Sequence, residues 1–223
     1  MHRPFYKSFA KIFAVYACLV LVGLQSAGCG SREQRAQSYY ESGMSYIEQK
    51  DYAKARIELR NALQLREDMV DAWRALAKID EHDRNVQSLL ASLKRIAELD
   101  DKDVATRAQL GRLYLAGGAV QEALKVTNAA EELDPQNASV LALKAAVLLR
   151  LKDDGGAVRT ANRALQIDPG NTDAKVILAA EQFKQSDFDG ALKTLASITD
   201  ARQNDLGVLL LKANIFNRKG DLA

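Results

Sequence analysis

Asp51-Tyr52-Ala53-Lys54-Ala55 and Asn61-Ala62-Leu63-Gln64-Leu65 decide the reading of this chain, because both return farther along it. The first is echoed by Asp187-Phe188-Asp189-Gly190-Ala191, the second by Arg163-Ala164-Leu165-Gln166-Ile167-Asp168-Pro169. Counting Ala36 as position 1 and stepping by 34 gives repeats 36–69, 70–103, 104–137, 138–171 and 172–205 without a gap, and a partial sixth, 206–223. Position 8 then holds Gly43, Ala77, Gly111, Ala145, Ala179 and Ala213. Alanine and glycine make up 48 of 223 residues. Six small residues out of six by chance is on the order of one in ten thousand for a fixed period.

The other repeat positions agree. Position 20 is Ala55, Leu89, Ala123, Ala157 and Ala191; position 27 is Ala62, Ile96, Ala130, Ala164 and Ile198. Trp73 falls at position 4, Leu76, Leu110 and Leu178 at position 7, Tyr46 and Tyr114 at position 11, Pro135 and Pro169 at position 32. Two antiparallel helices joined by a short turn must cross closely. Small residues at positions 8 and 20 permit that approach, and larger ones fill the space between helix pairs. Proline at 32 suits the end of the second helix. Asp51, Asp153, Asp187 and Asp221 at position 16 suit helix N-caps. On these residues the chain resembles the tetratricopeptide repeat (TPR) family over 36–223. The resemblance implies an all-α fold, a right-handed superhelical solenoid of antiparallel helix pairs with five full repeats and a partial sixth. The first helices (A) are expected at 36–49, 70–83, 104–117, 138–151, 172–185 and 206–219, the second (B) at 52–66, 86–99, 120–133, 154–167 and 188–199. Leu89, Ile96, Asp80 and Gln203 depart from the family pattern.

Ahead of the repeats, His2, Arg3, Lys7 and Lys11 precede an uncharged run, 12–24. Its 13 residues are too few to span hydrocarbon as a helix, which takes roughly 20. A basic start, a short apolar core and small residues describe an export signal over 1–28. Ala27-Gly28-Cys29 resembles a bacterial lipobox, with Ser26 in place of the usual leucine. That resemblance implies cleavage before Cys29, acylation of Cys29, and a short spacer over 29–35. Stable anchoring needs more than one acyl chain. The implied address is the bacterial envelope, at the outer membrane facing the periplasm. Cys18 would leave with the signal, so no disulfide is expected.

The chain carries 31 Lys+Arg against 29 Asp+Glu, a formal charge of +2. Loss of Arg3, Lys7 and Lys11 with the signal turns this to −1, which gives no argument for nucleic acid. Catalytic constellations are missing. His82 is the one histidine beyond the signal and is expected exposed on a helix. No His/Cys cluster has metal spacing, and no Gly-x-Ser-x-Gly occurs. Gly117-Gly118 and Gly155-Gly156 lack the Gly-Lys-Ser/Thr of a phosphate loop. Glu131-Glu132 and Asp100-Asp101 read as solvated helix ends. The expectation is no enzyme, no catalytic residue, no metal and no cofactor.

Function is therefore expected in a groove. In the family the concave face is lined by helix A positions 2, 5, 9 and 12. Here those positions give a basic set, Arg74, Lys78 and Arg112, then an apolar set, Leu149, Val176, Phe183 and Leu210. The basic set suits a carboxylate on a ligand and the apolar set suits an amphipathic or extended segment. The carboxylate clamp of some TPR domains is absent, since Tyr40, Met44, Ala75, Ala105 and Gln109 occupy its places. The expected partner is an envelope protein or peptide segment. Tyr52–Gln64 most resembles TPR lipoproteins of exopolysaccharide/exosortase clusters. Helix 206–219 is apolar nearly all round and the sequence stops within the sixth repeat, so a fragment of a longer chain is expected. The competing reading is a TPR targeting arm of a larger enzyme continuing past Ala223.

Overall fold

The computed structural model describes residues 31–199 and 201–220. The export signal, Cys29 and the cap expected at Asp221 lie outside them. Among the described residues there are eleven α-helices and no strand. They are α1 (Arg32–Glu48), α2 (Tyr52–Leu65), α3 (Val70–His82), α4 (Val86–Leu99), α5 (Val104–Ala116), α6 (Val120–Leu133), α7 (Ala138–Arg150), α8 (Asp154–Ile167), α9 (Thr172–Lys184), α10 (Phe188–Ala196) and α11 (Leu206–Lys219). A 3-10 turn, Ala201–Asn204, precedes α11. The chain divides into two compact units, one ending at Ile79 and one beginning at Asp80.

The helices follow the 34-residue register, with two differences. α1 starts at Arg32, one turn before Ala36, so part of the expected spacer is helical. The cause is local: Ser31 accepts from the Gln34 N–H at 3.2 Å while the Ser31 N–H donates to Gln34 Oε1 at 2.8 Å. This reciprocal box satisfies two backbone donors that a helix start leaves open. α10 is only 9 residues long, ending at Ala196 where 199 was expected. The 3-10 turn containing Gln203 takes up the rest of that repeat.

Each helix A ends the same way. The position 16 N–H reaches back to position 11: Asp51 to Tyr46, Asn85 to Asp80, Ala119 to Tyr114, Asp153 to Leu148, Asp187 to Gln182, all at 2.8–3.0 Å. Position 15 between them is left-handed in all six repeats: Lys50, Arg84, Gly118, Lys152, Ser186 and Gly220 have φ from 56° to 84°. This is a Schellman ending. Asp51, Asn85, Asp153 and Asp187 then cap the following helix B, accepting from Lys54, Ser88, Gly156 and Gly190. One residue thus closes one helix and opens the next, which is why the turn is so short. Asp103, Asn137 and Asn171, at position 34, cap helix A in the same manner.

Packing follows the small residues. In the first unit, Ala36, Ala55 and Ala62 are fully buried with Leu59 and Ala72, and Tyr40, Met44 and Trp73 pack on their edges. Trp73 lends its indole N–H to the Glu67 carbonyl at 2.9 Å. In the second unit, α7, α8 and α9 share a core of Leu141, Ala142, Ala145, Ala157, Ala161, Ala164 and Ala174. So much alanine brings helix backbones close and keeps the layers thin. α9, α10 and α11 share a second core of Ala179, Ala191, Leu195, Ile198, Val208 and Ile215.

Candidate functional site

Helices α5, α7 and α9 belong to the A series of the second unit, and α5 packs on α7 and α7 on α9. A groove of about 400 Å³ lies across them and is closed by the start of α11. Seven of its twelve lining residues, Arg112, Ser139, Ala142, Ala146, Asp173, Val176 and Gly207, stand at repeat position 2, 5 or 9, and Leu143, Ile177, Val208, Arg202 and Asp205 complete it from other positions. Positions 2, 5 and 9 are three of the four positions that the family resemblance assigns to the concave face. The floor is apolar, with Ala146 and Val176 over the more deeply set Leu143, Ile177 and Val208, and Ala142 is fully buried beneath it.

Charge is arranged at the two ends. Arg112 stands exposed on α5, and no hydrogen bond or ion pair of its side chain occurs among the described residues. At the α9–α11 side, Arg202 binds the Asp173 carboxylate and also donates from Nε to Asp205 at 3.0 Å. The hydrogen bonds to Asp173 and then Asp205 push the Arg202 pKa up, so it is a permanent cation. The 3-10 turn holds Arg202 there.

Two of the site residues named from sequence, Arg112 and Val176, line this groove. Arg74 and Lys78 lie on α3 in the first unit. Arg74 pairs with Asp71 at 3.6 Å, and Lys78 is exposed. Leu149 packs half-buried against the α7–α9 core. Phe183 packs against the α9–α11 core, its ring 5.9 Å from that of Phe188. Leu210 is exposed on α11 and is not among the groove residues. Sequence reasoning passed over Arg202 and Asp205. The available signal was Gln203 in the proline place, which frees the end of that repeat to form a turn carrying charge.

A second ionic cluster corrects the reading of Glu131-Glu132 as a solvated helix end. Glu131 of α6 binds Lys144 of α7 and Arg163 of α8, both at 2.6 Å, with only 15% of its side chain exposed. Burial alone would raise its pKa. The hydrogen bonds from Lys144 and Arg163 outweigh that and hold the carboxyl below its usual range. The cluster ties three successive helices, and none of its three residues lines the groove. His82 ends α3 with Nδ1 2.9 Å from the Asp83 carboxylate, its side chain 60% exposed. Among the described residues no group of three or more His, Cys, Asp or Glu side chains is placed to hold a metal ion. No helix among them is long and apolar enough to cross a membrane.

Comparison with known proteins places these features. One tetratricopeptide repeat family model matches residues 90–147 and 148–215, and a second matches 36–69. Among solved structures, pilF of Pseudomonas aeruginosa is 18% identical, with 86% of this chain and 87% of that one covered at a TM-score of 0.61. A tetratricopeptide repeat protein of Parabacteroides merdae is 15% identical, with 84% and 75% covered at 0.71. YrrB, a TPR protein with an unusual peptide-binding site, is 15% identical, with 78% and 90% covered at 0.64. At these identities the likeness is one of fold. No curated protein sequence matches the chain.

Proposed function

The chain belongs to the tetratricopeptide repeat family, and from that premise we propose that it is a lipid-anchored scaffold of the bacterial envelope. In this reading it recruits protein segments to an outer-membrane or exopolysaccharide export assembly. A TPR array is suited to protein–protein interaction, and no catalytic residue is assigned. The observation that carries the reading is the groove across α5, α7 and α9, with an apolar floor and an unengaged guanidinium, Arg112, at its edge. Such a strip, with directed polar groups, suits an extended protein segment. That YrrB has a peptide-binding site supports the capacity of this architecture to hold one. The anchor rests on Cys29 behind Ala27-Gly28 and a short apolar signal.

The test is a capture experiment from envelope extract with the full chain, beside Cys29→Ala, Arg112→Ala and Gly207→Trp. Gly207 lines the groove, and a Cβ there meets nothing within 4 Å, so a bulky side chain can be introduced at the groove without a clash at its Cβ, with unchanged helical circular dichroism as the check on folding. The expected result is one defined envelope protein, reduced by Arg112→Ala and lost with Gly207→Trp. The same proteins in all samples would overturn the groove as the contact face. Fractionation decides the anchor: wild type is expected with the membranes and Cys29→Ala in the soluble fraction. Equal partition of the two would remove lipid anchoring.

A further inference from the structure

The groove is not uniformly basic. Its α5 edge carries Arg112, a cation with no side-chain hydrogen bond or ion pair among the described residues. Its α9–α11 edge carries two carboxylates, Asp173 and Asp205, sharing the single guanidinium of Arg202. Among the described groove residues that edge therefore holds one net negative charge, opposite in sign to the other. Between them lie Ala146, Val176, Leu143, Ile177 and Val208, with no charge.

On the reading that this groove is the partner site, we propose that it selects an extended protein segment of mixed charge: a carboxylate side chain set against Arg112, and a Lys or Arg set against Asp173 and Asp205. The physical reason is complementarity. A carboxylate meets a guanidinium in a fork of parallel hydrogen bonds. A cation at the far edge completes the charge balance of the Asp–Arg–Asp cluster. The wrong sign at either edge places like charges side by side, which suppresses unsuitable partners. The spacing follows from the helices. Packed helices stand about 8–10 Å apart, so α5 and α9, separated by α7, are about 16–20 Å apart. After the reach of the Arg112 side chain, about three or four extended residues fill the interval. The uncharged floor suits apolar intervening residues, and a groove of about 400 Å³ keeps them small.

The experiment titrates the full chain against three labelled peptides with blocked ends, read by fluorescence anisotropy. The probes are Asp-Ala-Val-Ala-Lys, Asp-Ala-Val-Ala-Asp and Lys-Ala-Val-Ala-Lys. Wild type is expected to bind the mixed peptide about tenfold more tightly than either like-charged one. Arg112→Glu makes both edges negative, so its preference should pass to the dilysine peptide. Arg112 is exposed, and unchanged helical circular dichroism shows that the variant folds. Gly207→Trp should weaken all three. Equal affinity for the three peptides, still weakened by Gly207→Trp, would overturn the charge order and leave the groove as a binding site. Absence of binding, or binding indifferent to Gly207→Trp, would overturn the groove reading itself.

Discussion

Gly111 of α5 stands against Thr127 of α6 so closely that a Cβ on the glycine would meet the threonine Cγ2 at 2.9 Å. The same Cβ would meet Leu143 Cδ2 of α7 at 3.1 Å. Thr127 cannot swing away freely: it is fully buried and its hydroxyl donates to the Ala123 carbonyl at 2.8 Å. Gly111→Ala should therefore cost stability, about 1 kcal/mol, because overpacking outweighs the gain in helix propensity. Thr127→Ser removes Cγ2 and keeps the hydroxyl. Urea midpoints should show the alanine tolerated, or stabilising, in the Thr127→Ser background. An equal loss in both backgrounds would mean that the Thr127 contact is not the cause, and would point to Leu143.

The left-handed residue at position 15 gives a second prediction. Lys50, Arg84, Lys152 and Ser186 occupy it with φ near +60°, and Gly118 and Gly220 occupy it as glycines. A side chain there strains the backbone by about 1–2 kcal/mol, and glycine loses about half of that again through its freer unfolded chain. Each of Lys50→Gly, Arg84→Gly, Lys152→Gly and Ser186→Gly should stabilise by about 0.5–1 kcal/mol. Gly118→Ala should destabilise by a similar amount, although a Cβ there meets nothing within 4 Å. The opposite signs, measured by thermal unfolding, separate backbone strain from side-chain contact.

These turns mark the limit of what the sequence makes legible. The repeat period and the caps Asp51, Asp153 and Asp187 follow directly from residue type, and the structure has them all. Four residues in the left-handed position are Lys, Arg and Ser, none of which signals φ > 0, so the common Schellman ending is hidden. Asp103, Asn137 and Asn171 recur at position 34 as plainly as the caps at 16, and the signal was there to be read. The groove positions of Arg112 and Val176 were legible because the register fixes which face a residue takes. Phe183 stands apart from the groove lining and packs against the α9–α11 core. Position 12 faces the groove in the family pattern, and here the Phe183 ring lies 5.9 Å from that of Phe188 at the start of α10. Glu131 was unreadable because its partners lie 13 and 32 residues away.

Glu131 predicts an acid-sensitive contribution. Its folded pKa is held below the ordinary glutamate value of 4.5. The unfolded chain therefore binds its proton more readily than the folded one. The sign follows: the contribution is fully present above pH 4.5 and is lost as pH falls through the lower folded value. Glu131→Gln should lower stability at neutral pH by about 1–2 kcal/mol, because a charged acceptor for two cations is lost. The difference from wild type should shrink toward acid. Denaturant titrations at pH 7 and pH 3 check this; a difference independent of pH would exclude the carboxylate charge as its origin.

The last prediction concerns α11. Leu206, Leu209, Leu210 and Phe216 are 72%, 44%, 54% and 41% exposed, while Val208 and Ile215 on the other side are buried. Repeat position 8 on this helix, Ala213, is exposed, whereas its counterparts Ala145 and Ala179 are fully buried. Small exposed residues flanked by leucine form an apolar strip, and contiguous strips of that kind promote association. Leu209→Gln/Leu210→Gln/Phe216→Gln should lower the binding of a hydrophobic dye and raise solubility. Stability should fall only modestly, by about 0.5–1 kcal/mol per site, because each side chain is already about half exposed to water. Light scattering and dye fluorescence on the full chain, with helicity as the control, measure this. A large loss of stability in the triple variant would mean that these side chains are covered in solution, and a neighbouring molecule would be the first thing to seek.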